Sequence, residues 1–337
     1  MSNLRTGPLN SITDVYGLRV GNAIDSYVKT GVTVLTGDAP FSASYAVIGG
    51  APGTRDTDLL APDKTVQSVD ALVLSGGSAF GLDSAGGVSQ ALRAEGRGFA
   101  VGDVSIPIVP AAILFDMANG GTKNWGDSFY TELGRSAYLA TDKQFDIGSV
   151  GAGYGALCGM TKGGLGTSSL LLEGGGSMDA LMAANPVGNA LTPDEKHFWA
   201  APFEINCEFG GYGISPHRIT DLGMDQSKLG ALHAQANTTI GIIATDIDLD
   251  KADLKRLAIA AHDGLARSIY PSHLPYDGDL IFAVSTRRIA KPKDPVLLST
   301  LSSAAANCVA RAVARGVYHA QTMDGDLKPT ARQLIES

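Results

Sequence analysis

Cysteine is too scarce in this chain to hold it together. Only Cys158, Cys207 and Cys308 occur, far apart, odd in number and without a C-x-x-C pair. That excludes a disulfide framework and a cysteine-rich zinc centre. Basic residues are in the minority, Lys+Arg 26 against Asp+Glu 34, for a net charge of -8 and a pI near 5.2. Such a balance argues against nucleic acid or an anionic membrane as the main partner. No apolar run in the sequence approaches the ~18 residues of a membrane span, and no signal-type apolar region follows Met1-Ser2-Asn3-Leu4-Arg5. The expectation is a protein of a reducing compartment, most simply the cytoplasm.

Familiar motifs are missing too. There is no G-x-x-x-x-G-K-[ST] phosphate loop and no H-E-x-x-H zinc helix. Gly151-Ala152-Gly153-Tyr154-Gly155 lacks the spacing of a dinucleotide loop, and the six histidines show no ligand spacing. They read as ordinary surface or core residues. Gly76-Gly77-Ser78-Ala79-Phe80-Gly81 falls short of a G-x-S-x-G elbow because Phe80 takes the last glycine position. It reads as a strand-to-helix turn, either for packing or with free N–H groups for an anion.

What is present is glycine, 42 in 337 residues, spread without period and pointing to many turns and close backbone approaches. With 44% hydrophobic residues the chain folds, and 337 residues suffice for one large domain or two. Short β-type runs at 17–21, 31–36, 44–48 and 71–75 precede a helix from Ser78 through Leu92. Strand-like segments return at 99–104 and 168–172. An irregular stretch, 191–229, reads as surface loop, and so long a one is expected to be functional or flexible. Beyond it the pattern is a strand ending at Asp246, a helix over 252–269, a strand over 280–285, and an Ala-rich helix over 295–315 closed by Gly316. The irregular alternation favours a layered α/β sandwich over a regular βαβ wheel.

The most informative segment is Asn237-Thr238-Thr239-Ile240-Gly241-Ile242-Ile243-Ala244-Thr245-Asp246, where a turn-prone residue runs into an apolar strand. Alone it reads as an ordinary strand start. It is also how a self-cleaving hydrolase stores a nucleophile. Cleavage of the Asn237–Thr238 bond would give Thr238 a free α-amine, of pKa about 7.7–8.0, able to act as base for its own hydroxyl. Asp277-Gly278-Asp279 sets two carboxylates around a turn ahead of a strand. Asn185 follows an apolar run and alone is a strand-end cap, while Lys162, alone, is a surface turn lysine.

Seven segments taken together resemble the DmpA-type self-processing aminopeptidases, a family that includes β-peptidyl aminopeptidases and the nylon-oligomer endo-hydrolase NylC. They are Gly49-Gly50-Ala51-Pro52-Gly53-Thr54-Arg55, Gly76-Gly77-Ser78-Ala79-Phe80-Gly81-Leu82, Ile106-Pro107-Ile108-Val109-Pro110, Gly151-Ala152-Gly153, Asn185-Pro186-Val187-Gly188, Asn237-Thr238-Thr239 and Asp277-Gly278-Asp279. They keep the family's order from about Thr6 to Tyr318. The resemblance implies an α+β, four-layer αββα sandwich of Ntn-hydrolase type, one domain over 1–337, cut into 1–237 and 238–337. It implies Thr238 as nucleophile and Asn185 as the residue that orients it or binds the oxyanion. Lys162, Asp277 and Asp279 match the nylon-oligomer branch. Phe115 stands where several members carry an oxyanion-assisting Tyr, and Phe cannot donate a hydrogen bond.

On this reading Lys162 keeps the α-amine of Thr238 neutral by like-charge repulsion, and the two aspartates hold both. No metal and no organic cofactor is needed. The substrate is a small peptide or an ω-amino-acid (6-aminohexanoate) oligomer; the alternatives are an exo-aminopeptidase for small L-, D- or β-amino acids and an unprocessed binding protein. The family habit adds a homotetramer.

Overall fold

The computed structural model describes residues 4–228, 237–291 and 294–337. In chain order the elements are β1 (Leu18–Asp25), β2 (Thr30–Val47), β3 (Thr54–Arg55), β4 (Val69–Ser75), α1 (Ser84–Ala94), β5 (Phe99–Val101), β6 (Val104–Ile106), β7 (Ala111–Ile113) and α2 (Phe129–Leu139). Then come β8 (Leu157–Cys158), β9 (Thr161–Lys162), β10 (Gly164–Leu171), β11 (Ser177–Ala184), β12 (Ile240–Ile247), α3 (Lys251–Ser268), β13 (Leu280–Ile289), α4 (Pro295–Tyr318) and α5 (Ala331–Ile335).

One strand joins two sheets. The first half of β2 pairs with β1 and β4, and its residues from Ser42 to Val47 pair with β13, the register breaking between Thr36 and Phe41. The runs at 31–36 and 44–48 are therefore one bent strand rather than two. The second sheet runs β10-β11-β12-β13-β2. Side chains alternate between faces with period 2. Leu72, Leu74, Ile240, Ile242, Leu280 and Phe282 fill the layer between the sheets. Their neighbours Val32, Val34, Ala71 and Val73 face α1 and α2. Ile243, Ile281 and Ala283 face α3 and α4. Both faces of each sheet are covered, which gives the four-layer αββα sandwich.

The helices begin where their caps stand. Asp250 accepts from the N–H groups of Ala252 and Asp253, and Asp294 from Leu297 with Pro295 in the first turn. Gly316 does not end α4, which runs on to Tyr318. Its bare Cα sits against the backbone of β10; a Cβ at Gly166 would stand inside the Ala312 carbonyl, so helix and strand touch backbone to backbone. By length and composition α4 matches a membrane-crossing helix, contrary to the expectation of no such run, but it packs on α3, β10 and β11 as a core helix.

Two other expectations change. Among the described residues the stretch 191–228 holds a short 3₁₀ turn, Ala201–Phe203, and a bridge between Leu191 and Phe198, yet it is not all surface: Leu191, Phe198 and Phe209 are buried beside α3 and α4. Residue 229 lies outside the described residues. The Gly77 turn uses N–H groups inside the protein, Gly77 donating to the Asp116 carboxyl at 2.7 Å and Ser78 to the Leu114 carbonyl. It is a packing turn.

Candidate active site

The second sheet brings three strand ends together. β11 and β12 run antiparallel and β12 and β13 parallel, with Ala183 opposite Ile240 and Ile240 opposite Leu280. Asn185, just past β11, therefore meets Thr238, just ahead of β12, and Asp277 to Asp279, just ahead of β13. All of these side chains are buried.

Thr238 is held at both polar atoms. Its N–H donates to the Asn185 carbonyl at 3.0 Å, and its hydroxyl donates to the Asn237 carbonyl, across the peptide bond that precedes it, at 2.5 Å. Gly278 leaves the room for that hydroxyl, since a Cβ there would stand 2.6 Å from Thr238 Oγ1 and from the Ala51 carbonyl. Gly49 and Gly50 play the same part toward the backbone of Asp277 and Pro275, which explains the first of the seven segments.

The Asn185 side chain is a junction. Its Nδ2 donates to the Phe115 carbonyl at 2.8 Å, and its Oδ1 accepts from Leu157 N–H at 2.9 Å and from Lys228 Nζ at 3.0 Å. Phe115 thus meets Asn185 through its backbone carbonyl. One N–H of the Asn185 amide remains for a further acceptor.

The two aspartates are committed to the protein. Asp277 accepts from Val187 N–H at 3.1 Å and Leu274 N–H at 2.9 Å. Burial and the neighbouring Asp279 raise its pKa. Asp279 accepts from Thr239 N–H at 2.8 Å and pairs with His273 Nδ1 at 2.7 Å. His273, read from sequence as ordinary, is part of this shell. Behind it His262, buried and bonded to the Ala46 carbonyl at 3.1 Å, has its pKa lowered by burial to about 4.

Lys162 is not tied to these aspartates, as the sequence suggested. Its ammonium pairs with Asp326 at 2.7 Å, and Lys29 reaches the other oxygen of the same carboxylate at 3.2 Å. The reason is local: β9 pairs with β8, and its Lys162 N–H bonds the Pro329 carbonyl, so the side chain meets the C-terminal segment. Burial lowers the pKa of Lys162 while Asp326 opposes it. The lysine that does reach Asn185 is Lys228, unmarked in the sequence because the irregular stretch has no period to place it.

An αββα sandwich with a hydroxyl residue at the mouth of a central strand defines an Ntn-hydrolase-like protein. The chain belongs to peptidase family S58, whose sequence model matches residues 10–330, and it is an amide-bond hydrolase. An aminopeptidase of Mycobacterium tuberculosis, described as uncharacterized, is 41% identical over 345 residues, 97% of this chain and 98% of the relative. A 6-aminohexanoate-oligomer endohydrolase of Kocuria sp. is 28% identical over 291 residues, 84% of this chain and 76% of that one. Of solved structures, a Burkholderia sp. beta-aminopeptidase has a TM-score of 0.71 at 22% identity, covering 100% of this chain and 95% of its own. The L-aminopeptidase D-Ala-esterase/amidase of Ochrobactrum anthropi, described as a variant of the Ntn hydrolase fold, gives 0.70 at 21%, with 100% and 96% covered. At those identities the structures show the fold.

Proposed function

We propose that the chain cuts itself between Asn237 and Thr238 and then hydrolyses amide bonds with Thr238 as nucleophile. The observation that carries this is the Thr238 hydroxyl on the Asn237 carbonyl, in a residue whose backbone is pinned by Asn185. In maturation Oγ1 bonds to the Asn237 carbonyl carbon and the C–N bond breaks. The nitrogen gains a proton and becomes the α-amine, and water hydrolyses the resulting ester. In turnover that amine takes the hydroxyl proton as Oγ1 attacks the substrate carbonyl and returns it to the leaving amine. Asn185's free N–H serves the oxyanion. Lys162 acts through Asp326 on the segment that flanks the site. Asp279 fixes the Thr239 N–H just beyond Thr238, and Asp277 fixes Val187 and Leu274 beside the site.

For the substrate, we favour internal amides of peptides or of 6-aminohexanoate-type oligomers. An exo-aminopeptidase needs a carboxylate to take the substrate ammonium, and both Asp277 and Asp279 are buried with each oxygen already accepting one protein hydrogen bond, which leaves them less able to serve an ammonium. The aminopeptidase reading is the second, favoured by the name of the relative at 41% identity. The assay compares an alanine or β-alanine anilide with linear and cyclic 6-aminohexanoate oligomers. Turnover of the cyclic form supports the first reading, and turnover of the anilide alone refutes it. We further propose a cytoplasmic homotetramer of processed protomers. In support, the β5–β6 hairpin exposes Phe99, Val101, Val104 and Ile106, apolar side chains suited to a contact between copies. Light scattering showing a monomer would refute the assembly.

A further inference from the structure

Lys228 has no part in the scheme above, yet it touches the centre of it. Its N–H is fixed on the Val187 carbonyl at 3.0 Å. Its Nζ donates to Asn185 Oδ1 at 3.0 Å and to the Asn185 carbonyl at 3.2 Å. That same carbonyl accepts the Thr238 N–H at 3.0 Å. Two nitrogens therefore converge on one oxygen, and they lie no farther apart than those two hydrogen bonds end to end.

We propose that Lys228 is a positioning residue of the reaction centre, which fixes the Asn185 amide and, as a cation on the carbonyl that Thr238 N–H also meets, keeps the α-amine of Thr238 unprotonated. The proposal rests on the reading of Thr238 as nucleophile. An ammonium only donates, so Lys228 requires the oxygen of the Asn185 amide on its own side. Leu157 N–H demands the same. The Asn185 NH₂ must then face Phe115 and the side where an oxyanion would form, and cannot flip.

The second effect begins when the chain is cut. The Thr238 nitrogen becomes an amine in place of a peptide nitrogen, still beside the shared carbonyl. Two amines so close cannot both hold a full charge cheaply, and the pair loses its first proton below the range of either alone. Lys228 keeps its proton because it has two acceptors on Asn185. The α-amine is left neutral, with its lone pair for the Thr238 hydroxyl proton. The titratable groups facing Lys228 are the Cys158 thiol from β8, the Asp277 carboxylate ahead of β13 and the Lys328 ammonium of the C-terminal segment. Burial, with Lys328, outweighs Cys158 and Asp277 and lowers the lysine to about 7, so a site that disfavours one positive charge disfavours a second still more. The role expected of Lys162 thereby passes to Lys228.

The test uses the full chain. In self-cleaved wild type the acidic limb of kcat/KM reports protonation of the base. Lys228→Met should move that limb up by about one pH unit and lower kcat more than it raises KM, through loss of the charge and of the amide lock. Lys228→Arg, always charged, should hold the limb at or below its wild-type position. A folded, cleaved Lys228→Met with an unmoved limb overturns the proposal. Should Lys228→Met not fold, NMR of the two amines in mature wild type reads the same coupling. The α-amine of Thr238 should lose its proton below its ordinary range of about 7.7–8.0 and before Lys228 does. The reverse order, or an α-amine in its ordinary range, overturns it. Failure of wild type to cut at Asn237–Thr238 would refute the nucleophile reading instead.

Discussion

The Thr238 N–H and the Asn185 carbonyl meet at 3.0 Å, linking the residue that opens β12 to the one that closes β11. Since neighbouring antiparallel strands bring the end of one to the start of the next, this bond follows from sheet order. It would hold the α-amine where the peptide nitrogen was, so a cut chain inherits the geometry of the uncut one.

Asn185→Ala should lower kcat by about 10²–10³, the cost of one oxyanion donor in known hydrolases. It also leaves the Leu157 N–H without its side-chain acceptor, for a stability loss of about 1–3 kcal/mol. Steady-state kinetics with urea melts separates the two effects. A folded variant of near-full activity would remove Asn185 from the mechanism.

Gly278→Ala should block self-cleavage, because the new methyl stands on Thr238 Oγ1 and on a backbone carbonyl that cannot swing away. On a denaturing gel the variant should persist as one band over the time wild type takes to divide. Cleavage at the wild-type rate would contradict the placement of the hydroxyl.

Stability should fall on mild acidification through His262. Its folded pKa, about 4, lies below the ordinary 6.5, so between those values the unfolded chain binds a proton that the folded one refuses. From pH 6.5 to pH 5 this costs about 2 kcal/mol. His273 opposes it. Its pKa is raised, the Asp279 ion pair outweighing burial, so its contribution is present below pH 6.5 and lost as pH rises through its folded value. His262→Gln should flatten the dependence on the acid side in urea titrations at pH 7 and pH 5; an unchanged slope would show that another group is responsible.

Hydrolysis should survive EDTA, since the base proposed here is the nucleophile's own amine. Inhibition by EDTA that added zinc or magnesium reverses would contradict that base.

Much of this site was legible because its residues sit at strand ends, where an apolar run stops at Asn185, begins after Thr238 and begins again after Asp279. A layered sandwich followed from the irregular alternation of strands and helices, and its four layers from the family resemblance. Other features were hidden for stated reasons. β11 lies between clear turn signals but is buried on both faces and so shows no alternating period, and α2 lacks a glycine or proline to mark its end. His273 and Lys228 lie in irregular chain, and only tertiary contact places them. Lys162 carried the right motif but the wrong partner, since Asp326 is 164 residues away in sequence.

The central claim is that Thr238 cuts the bond before it, and intact mass of the purified chain tests it most directly. Wild type should give two species ending at Asn237 and beginning at Thr238, remaining together in native solution, and Thr238→Ala should give the full-length mass alone. Thr238→Ala cut at that same bond would contradict the account, because the scissor would then be another protease.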